Sequence, residues 1–387
     1  MAERKYRCVW IEDPARLDAA RWDALVESDP DGNPFLRHAF LHALHASGAA
    51  VPATGWGARF LTLWDDERLA AAVPLYAKSH SYGEYVFDWS WAEAQERLGR
   101  PYYPKWLVAV PFTPVVGSRI LASDEPAREA ALRELLHLAR AGTLSSLHVL
   151  FPTETQARQM QGAGLLLREG LQFHWRNRGY ADFAGYLDAL TQVKRKKIRA
   201  ERRKVGEAAV ELERRTGAAI TREDWGFFLR CYENTYAEHG STPYLNLDFF
   251  LRLGRGLPEH LVLVLARRAG RRIASALGVY DRDRSALYGR YWGALEPVSC
   301  LHFECCYYQM IEFAIEQRLQ VFEGGAQGAH KLARGLDPVP TWSAHWLSEP
   351  QMHEAVARFL HREQLAVSAT IDELAEHRAW RGHAPEL

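Results

Sequence analysis

No stretch of this 387-residue sequence is apolar over the ~18 residues that a membrane-spanning helix requires. Its opening, MAERKYRCVW, carries charges where a secretory leader would be apolar. Neither a span nor a leader is expected, and the reading is a cytoplasmic protein. Cysteine is sparse: five residues, an odd number without regular spacing, suit reduced thiols and not a disulfide framework. Net charge is missing altogether, since 48 Lys and Arg offset 48 Asp and Glu. No global field then draws the chain to nucleic acid or membrane, and any such binding must come from a local patch. Lysine also runs out: after Lys204 the only one is Lys331. Where arginine is used almost everywhere, a retained lysine points to a need for a compact ammonium.

Several catalytic signatures are absent too. There is no G-x-S-x-G elbow, H-E-x-x-H pair or Rossmann glycine fingerprint. GGAQGAHK (324–331) has the glycines of a phosphate loop without its Gly-Lys-Ser/Thr ending, which sets Walker-type hydrolysis aside. Cys300, His302, Cys305 and Cys306 invite a zinc reading. Four ligands on one helix cannot close a tetrahedron, so no metal is expected.

What is present is a soluble globular composition, 48% hydrophobic and 25% charged, long enough for about two domains. Apolar spacing predicts helices over 14–27, 34–47, 125–141 and 155–163, and strands over 59–64, 69–76 and 147–151. Residues 79–117 read as a long, irregular aromatic segment. The second half repeats the first. PFLRHAFLHAL (34–44) matches PYLNLDFFLRL (243–253), and ERLAAAVPLY (67–76) matches RRIASALGVY (271–280) without a gap. Two matches in one order, within one string of elements, indicate duplication. Residues 125–141 then correspond to 300–317, and 147–151 to 319–323. Two units are too few for a solenoid, so two α/β domains are expected.

Residues 190–203, LTQVKRKKIRAERR, form a helix at the join crowded with cations. Such a run is either a solvated linker or a phosphate site. Residues 288–335 organise the second half as strand, loop, helix, buried strand and a glycine-rich loop delivering His330 and Lys331. Ser299 is the expected N-cap of that helix, whose first N–H groups would welcome an anionic or carbonyl oxygen. Gly324, Gly325 and Gly328 let backbone approach whatever sits at the strand end. Residues 354–374 carry a last helix, followed by a loose tail. Trp89, Trp91, Tyr102 and Tyr103 are core residues or the lining of a substrate cleft. Asp88, set between Phe87 and Trp89, is either a desolvated carboxyl of raised pKa or a salt-bridged one.

The order strand–turn–strand, long loop, strand, helix, strand resembles the GNAT acyltransferase fold, here occurring twice. YGEYVFDWSWAEA (82–94), YYPKWLVAVPFTPVVG (102–117), FEGGAQGAHKLARGL (322–336) and PVPTWSAHWL (338–347) resemble the FemAB-like family of peptidoglycan biosynthesis or recognition. TQVKRKKIRAERRKV (191–205) is similar to the basic helix between the halves of Fem aminoacyltransferases. The resemblance implies a duplicated GNAT-like α/β (α+β) fold with two mixed, mostly antiparallel sheets flanked by helices. It divides the chain at 1–190, 191–350 (basic helix plus second domain) and 351–387 (helix and tail). It implies an enzyme, an N-acyltransferase moving an acyl or aminoacyl group from acyl-CoA or aminoacyl-tRNA to an amine. That amine would belong to a phosphorylated small molecule or a cell-wall precursor such as one of peptidoglycan, with tRNA a further partner.

Lys331 is the implied oxyanion-stabilising lysine, and Lys194, Arg195, Lys197 and Arg199 the implied phosphate contacts. Glu323, His330 and Asp88 are alternatives for the base, and Arg334 adds to the cationic loop. An ordinary surface lysine is the competing reading of Lys331. Two other functions stand beside the first. One is a non-catalytic module recognising a cell-wall or nucleotide-linked ligand. The other is acyl-CoA-dependent N-acylation of a small metabolite.

Overall fold

A computed structural model describes residues 5–325, 328–376 and 379–381. The chain forms two compact units, Met1–Gly170 with Pro340–Ser368, and Leu171–Val339 with Ala369–Leu387. In the first unit, β1 (Arg7–Ile11) precedes α1 (Ala19–Ser28) and α2 (His38–Ala46). Asp18 caps α1, its side chain accepting from the Arg21 N–H. Next come β2 (Trp56–Ala58), β3 (Phe60–Asp65), β4 (Arg68–Val73) and β5 (Leu75–Lys78). Helix α3 (Trp89–Arg97), β6 (Lys105–Val108), β7 (Leu121–Ala122), α4 (Glu125–Arg140), β8 (Ser146–Leu150) and α5 (Glu154–Gly162) follow. The expectation of an irregular 79–117 therefore fails: it contains α3 and a fully buried strand. Tryptophan-rich Trp89–Arg97 lacks a clean apolar stripe because its rings face different surroundings, Trp91 buried and Trp89 exposed.

The second unit holds the later part of β9 (Leu166–Arg176), then α6 (Phe183–Ala189), α7 (Gln192–Glu207) and β10 (Val210–Thr216). Helices α8 (Arg222–Glu238) and α9 (Leu247–Gly256) come next. Then follow β11 (Leu261–Arg268), β12 (Arg271–Asp281), β13 (Ala286–Ala294), α10 (Leu301–Phe303), α11 (Gln309–Glu316) and β14 (Val321–Glu323). Two elements complete the chain, β15 (Leu336–Leu347) and α12 (Pro350–Glu376).

The pairings repeat as the sequence match requires. β1–β3–β4 and β10–β11–β12 are both antiparallel meanders. Each unit then has a parallel pair joined through a helix, β6 with β8 and β13 with β14. The expected strand 69–76 is broken at Pro74, which has no N–H to donate. In the aligned strand the register slips between Leu277 and Gly278, and Gly278 is the counterpart of Pro74. Both copies thus kink at one place. The last strand of each unit comes from outside its own repeat. Ser343–Leu347 pairs antiparallel with β8, and His174–Arg176 with β14.

Leu190 and Trp380 form a β-bridge, and the Trp380 indole donates to Asp337 at 2.9 Å. The described part of the tail, 379–381, is therefore docked and not loose. Among the described residues no helix is long and apolar enough to cross a membrane.

Candidate active site

Lys331 lies in the second unit, on a 3-10 helix, Ala329–Arg334, that follows the glycine turn after β14. Gly324 donates to the Phe173 carbonyl at 2.9 Å, and a Cβ there would fall 2.4 Å from Leu336. Gly325 has φ +80°, a left-handed conformation that glycine adopts without strain. Its carbonyl receives the Phe173 N–H at 3.1 Å and Lys331 Nζ at 3.0 Å. Lys331 is 4% exposed, so the surface-lysine reading fails. Burial lowers its ammonium to about 8, with Cys306 acting weakly the other way. Among the described residues no carboxylate pairs with it.

Glu323 closes β14 and stands beside Tyr288 of β13 and His174 of β9 in the pairing register. Burial pushes its carboxyl up to about 8, although Arg290 pulls it down. Its Oε2 has no hydrogen-bond partner among the described residues and lies 3.9 Å from His174 Nε2. Burial also holds His174 neutral, lowered to about 3, with Arg176 and Lys331 adding to the effect. His174 thus lies between the two, near Glu323 by distance and under the charge of Lys331. His174 was not singled out by its sequence. The alternation Leu171, Phe173, Trp175 against Gln172 and His174 was the available signal for a strand there.

Beside this group, β13 runs on to Ala294 after its last pairing with β14 at Tyr288. The parting strands leave a cleft of about 130 Å³, lined by Gly289, Arg290, Trp292, His302, Cys306 and Gly324 among others. Its helical wall contains a π turn, Glu304–Tyr308, between α10 and α11. The wider turn sends two consecutive tyrosines to different partners. Tyr307 bonds His330 Nε2 at 3.1 Å, and Tyr308 bonds Glu201. Cys300, with φ +67°, occupies the N-cap position expected for Ser299, and no side chain caps the helix. His330 is half-buried and shifted down by burial, with Arg334, Lys331 and Lys197 contributing.

Arg334 is an interior anchor. Its guanidinium donates to Glu201 at 2.7 Å and to the Tyr308 hydroxyl at 3.0 Å, and covers Phe303. On α7, Arg195 and Arg199 share Asp188, at 2.9 and 4.0 Å, while Arg202 grips Glu304 and Glu312. Lys194 and Lys197 form no ion pair among the described residues, and Lys197 is exposed. α7 packs against the helix that carries Lys331.

Asp88 belongs to the first unit, within another network. Its carboxylate accepts from Lys105 at 2.5 Å, Ser81 at 2.5 Å and Tyr102 at 2.6 Å. Burial alone would raise its pKa, but Lys105 outweighs it and the carboxyl is held well below its usual range. The salt-bridged reading is therefore the structural one, and a raised pKa is excluded. Glu84 shares the same ammonium at 2.8 Å, and burial pushes it up to about 7. Tyr102 and Trp91 are interior, Tyr103 is half-buried, and Trp89 faces solvent at the start of α3. Among the described residues no group of three or more His, Cys, Asp or Glu could hold a metal ion.

A family model described as peptidoglycan biosynthesis/recognition, FemAB-like, matches residues 13–382. The chain belongs to the FemAB-like family. No curated protein matches the sequence of this FemAB-like chain. Solved structures share its fold at low identity. FemX aligns with TM-score 0.55 at 13% identity, over 89% of this chain and 98% of its own. L-PGS from Bacillus licheniformis gives 0.55 at 11%, over 90% and 98%. The C-terminal domain of a putative lysylphosphatidylglycerol synthetase from Agrobacterium fabrum gives 0.54 at 11%, over 90% and 96%. The duplicated α/β architecture with mixed, mostly antiparallel strands read from the sequence is thus the architecture found.

Proposed function

We propose that this FemAB-like protein transfers an acyl or aminoacyl group from an activated thioester or ester to the amine of a phosphorylated or cell-wall precursor. The observation that carries this reading is Lys331, a nearly buried ammonium without a paired carboxylate among the described residues, close to a cleft at the parting strands. The amine nitrogen attacks the donor carbonyl, forming a C–N bond and an oxyanion. Lys331 stabilises that oxyanion, and collapse expels the thiolate or alkoxide of the donor. The amine proton passes to Glu323 as carboxylate, within reach of which His174 offers a neutral imidazole. His330, bonded to Tyr307, remains an alternative base. Lys194 and Lys197 supply charge for substrate phosphates. The donor is acyl-CoA or aminoacyl-tRNA. Similarity to a putative lysylphosphatidylglycerol synthetase favours an aminoacyl donor.

The test incubates the protein with radiolabelled acetyl-CoA or charged tRNA and a panel of amine acceptors, including UDP-linked muropeptides. Donor-dependent mass gain on an acceptor, lost in Lys331→Met, supports the reading. Turnover that survives Lys331→Met removes the assignment of this lysine. No transfer from either donor class would leave a binding role as the better reading.

A further inference from the structure

Residues 81–89 of the first unit alternate between two environments. Ser81, Glu84 and Asp88 are buried, and all three bond the single ammonium of Lys105, at 2.8, 2.8 and 2.5 Å. Tyr103 meets Ser81 at 2.8 Å, so the inner side of the segment is closed by polar contacts. From another side Arg168 donates to the Phe87 carbonyl at 2.6 Å while also gripping Glu363. These inward bonds turn the intervening side chains outward. Tyr82, Tyr85, Phe87 and Trp89 are 58, 37, 57 and 36% exposed, the exposed large aromatic residues among those described. The Tyr82 and Trp89 rings are 4.9 Å apart, and His80 lies 5.4 Å from Tyr82.

Keeping several rings in water forgoes the stabilisation that burial would give. A segment pinned from inside by a buried ammonium holds them there without freedom to collapse. The surroundings select the ligand. Lys78 and Lys105 are fully buried and Arg168 is paired, so the cations supporting this segment are unavailable to a phosphate chain. The rings present apolar faces with hydroxyl, indole and imidazole groups at their edges, which suits a partner with C–H groups on one face and hydroxyls around its rim. We propose that residues 82–89 form a carbohydrate-stacking platform that takes the pyranose rings of an uncharged glycan.

Calorimetric titration of the full chain with chitotetraose tests this, and the part of the tryptophan fluorescence change that Trp89→Phe removes reports on Trp89. Wild-type protein should bind, and the triple variant Tyr82→Ser, Phe87→Ser, Trp89→Ser should bind on the order of a hundredfold more weakly. Trp89→Phe, which keeps a ring, should lose little. Should the triple variant fail to fold by circular dichroism, Tyr82→Ser alone is expected to cost about tenfold. The proposal is overturned if wild-type protein binds no saccharide, or if the ring variants bind it as well as wild type. It is equally overturned if a single-stranded oligonucleotide or a phosphatidylcholine vesicle binds through these three residues in place of the saccharide. No donor or turnover enters the measurement, so its failure and that of the transfer reading are separable.

Discussion

Glu323 and His174 face each other on neighbouring antiparallel strands, the acid's Oε2 3.9 Å from the imidazole Nε2. Burial drives both towards neutrality, Glu323 up to about 8 and His174 down to about 3. At pH 7 the pair is mainly a carboxylic acid beside a neutral imidazole, poised to lose its proton just above neutrality.

The pH profile of transfer follows from that poise. Rate should rise as Glu323 deprotonates and fall as Lys331 loses its proton, and both groups titrate near 8. A narrow bell centred near pH 8 is expected in kcat/KM, its limbs reporting Glu323 and Lys331 of the free enzyme. Glu323→Gln should remove the acid limb and lower kcat by about a hundredfold or more. An unchanged profile in that variant would transfer the role to His330.

Stability supplies an independent check on Glu323. Its folded pKa of about 8 exceeds the ordinary carboxyl value of 4.5, so the folded state holds the extra proton between these values. Stability is therefore complete below the lower value and declines as pH rises through the upper one. Glu323→Gln mimics the protonated form. Its melting temperature should match wild type near pH 5 and exceed it by several degrees at pH 9, as scanning calorimetry would show.

Lys331→Met should reduce kcat by about a hundredfold, the scale of one lost oxyanion donor, with little change in substrate affinity. The fold should tolerate it, because a buried ammonium without an ion partner gives way to an apolar chain of similar length. Lys331→Arg should recover only part of the rate, since the fork places its charge differently. A proportional rise in KM with intact kcat would mark ground-state binding instead.

Lys105 should behave differently from Lys331. Lys105→Met strands Glu84 and Asp88 as buried carboxylates, a loss of about 3–5 kcal/mol by urea denaturation. Asp88→Asn keeps the hydrogen-bonding shape and should cost less. Equal stability of Lys105→Met and wild type would show that the network is not what holds residues 81–89.

On α7 two kinds of cation should separate. Lys194→Glu with Lys197→Glu should weaken pyrophosphate binding by more than about tenfold while the melting temperature hardly moves. Arg202→Ala should lower the melting temperature, since nearly buried Glu304 loses its partner. Unchanged pyrophosphate affinity in the double variant would make the helix purely structural.

The duplication was legible because matched apolar words impose matched burial. ERLAAAVPLY and RRIASALGVY each become a central strand that kinks at the Pro74 or Gly278 position. Lys331 stood out for a related reason, as a solitary lysine in an arginine-rich half. Helix α3 and strand β9 escaped because rings and charges there answer to tertiary neighbours and break any simple period. Composition could not distinguish the two fates of a buried charge. Asp88 meets Lys105 across a loop and stays ionised, whereas Glu323 ends a strand without such a partner and is pushed towards neutrality. Local pattern determined the elements and their repetition. Only the tertiary structure decided which titratable groups meet, because His174 reaches Glu323 through strand pairing with β14 and no period in the sequence encodes that neighbour.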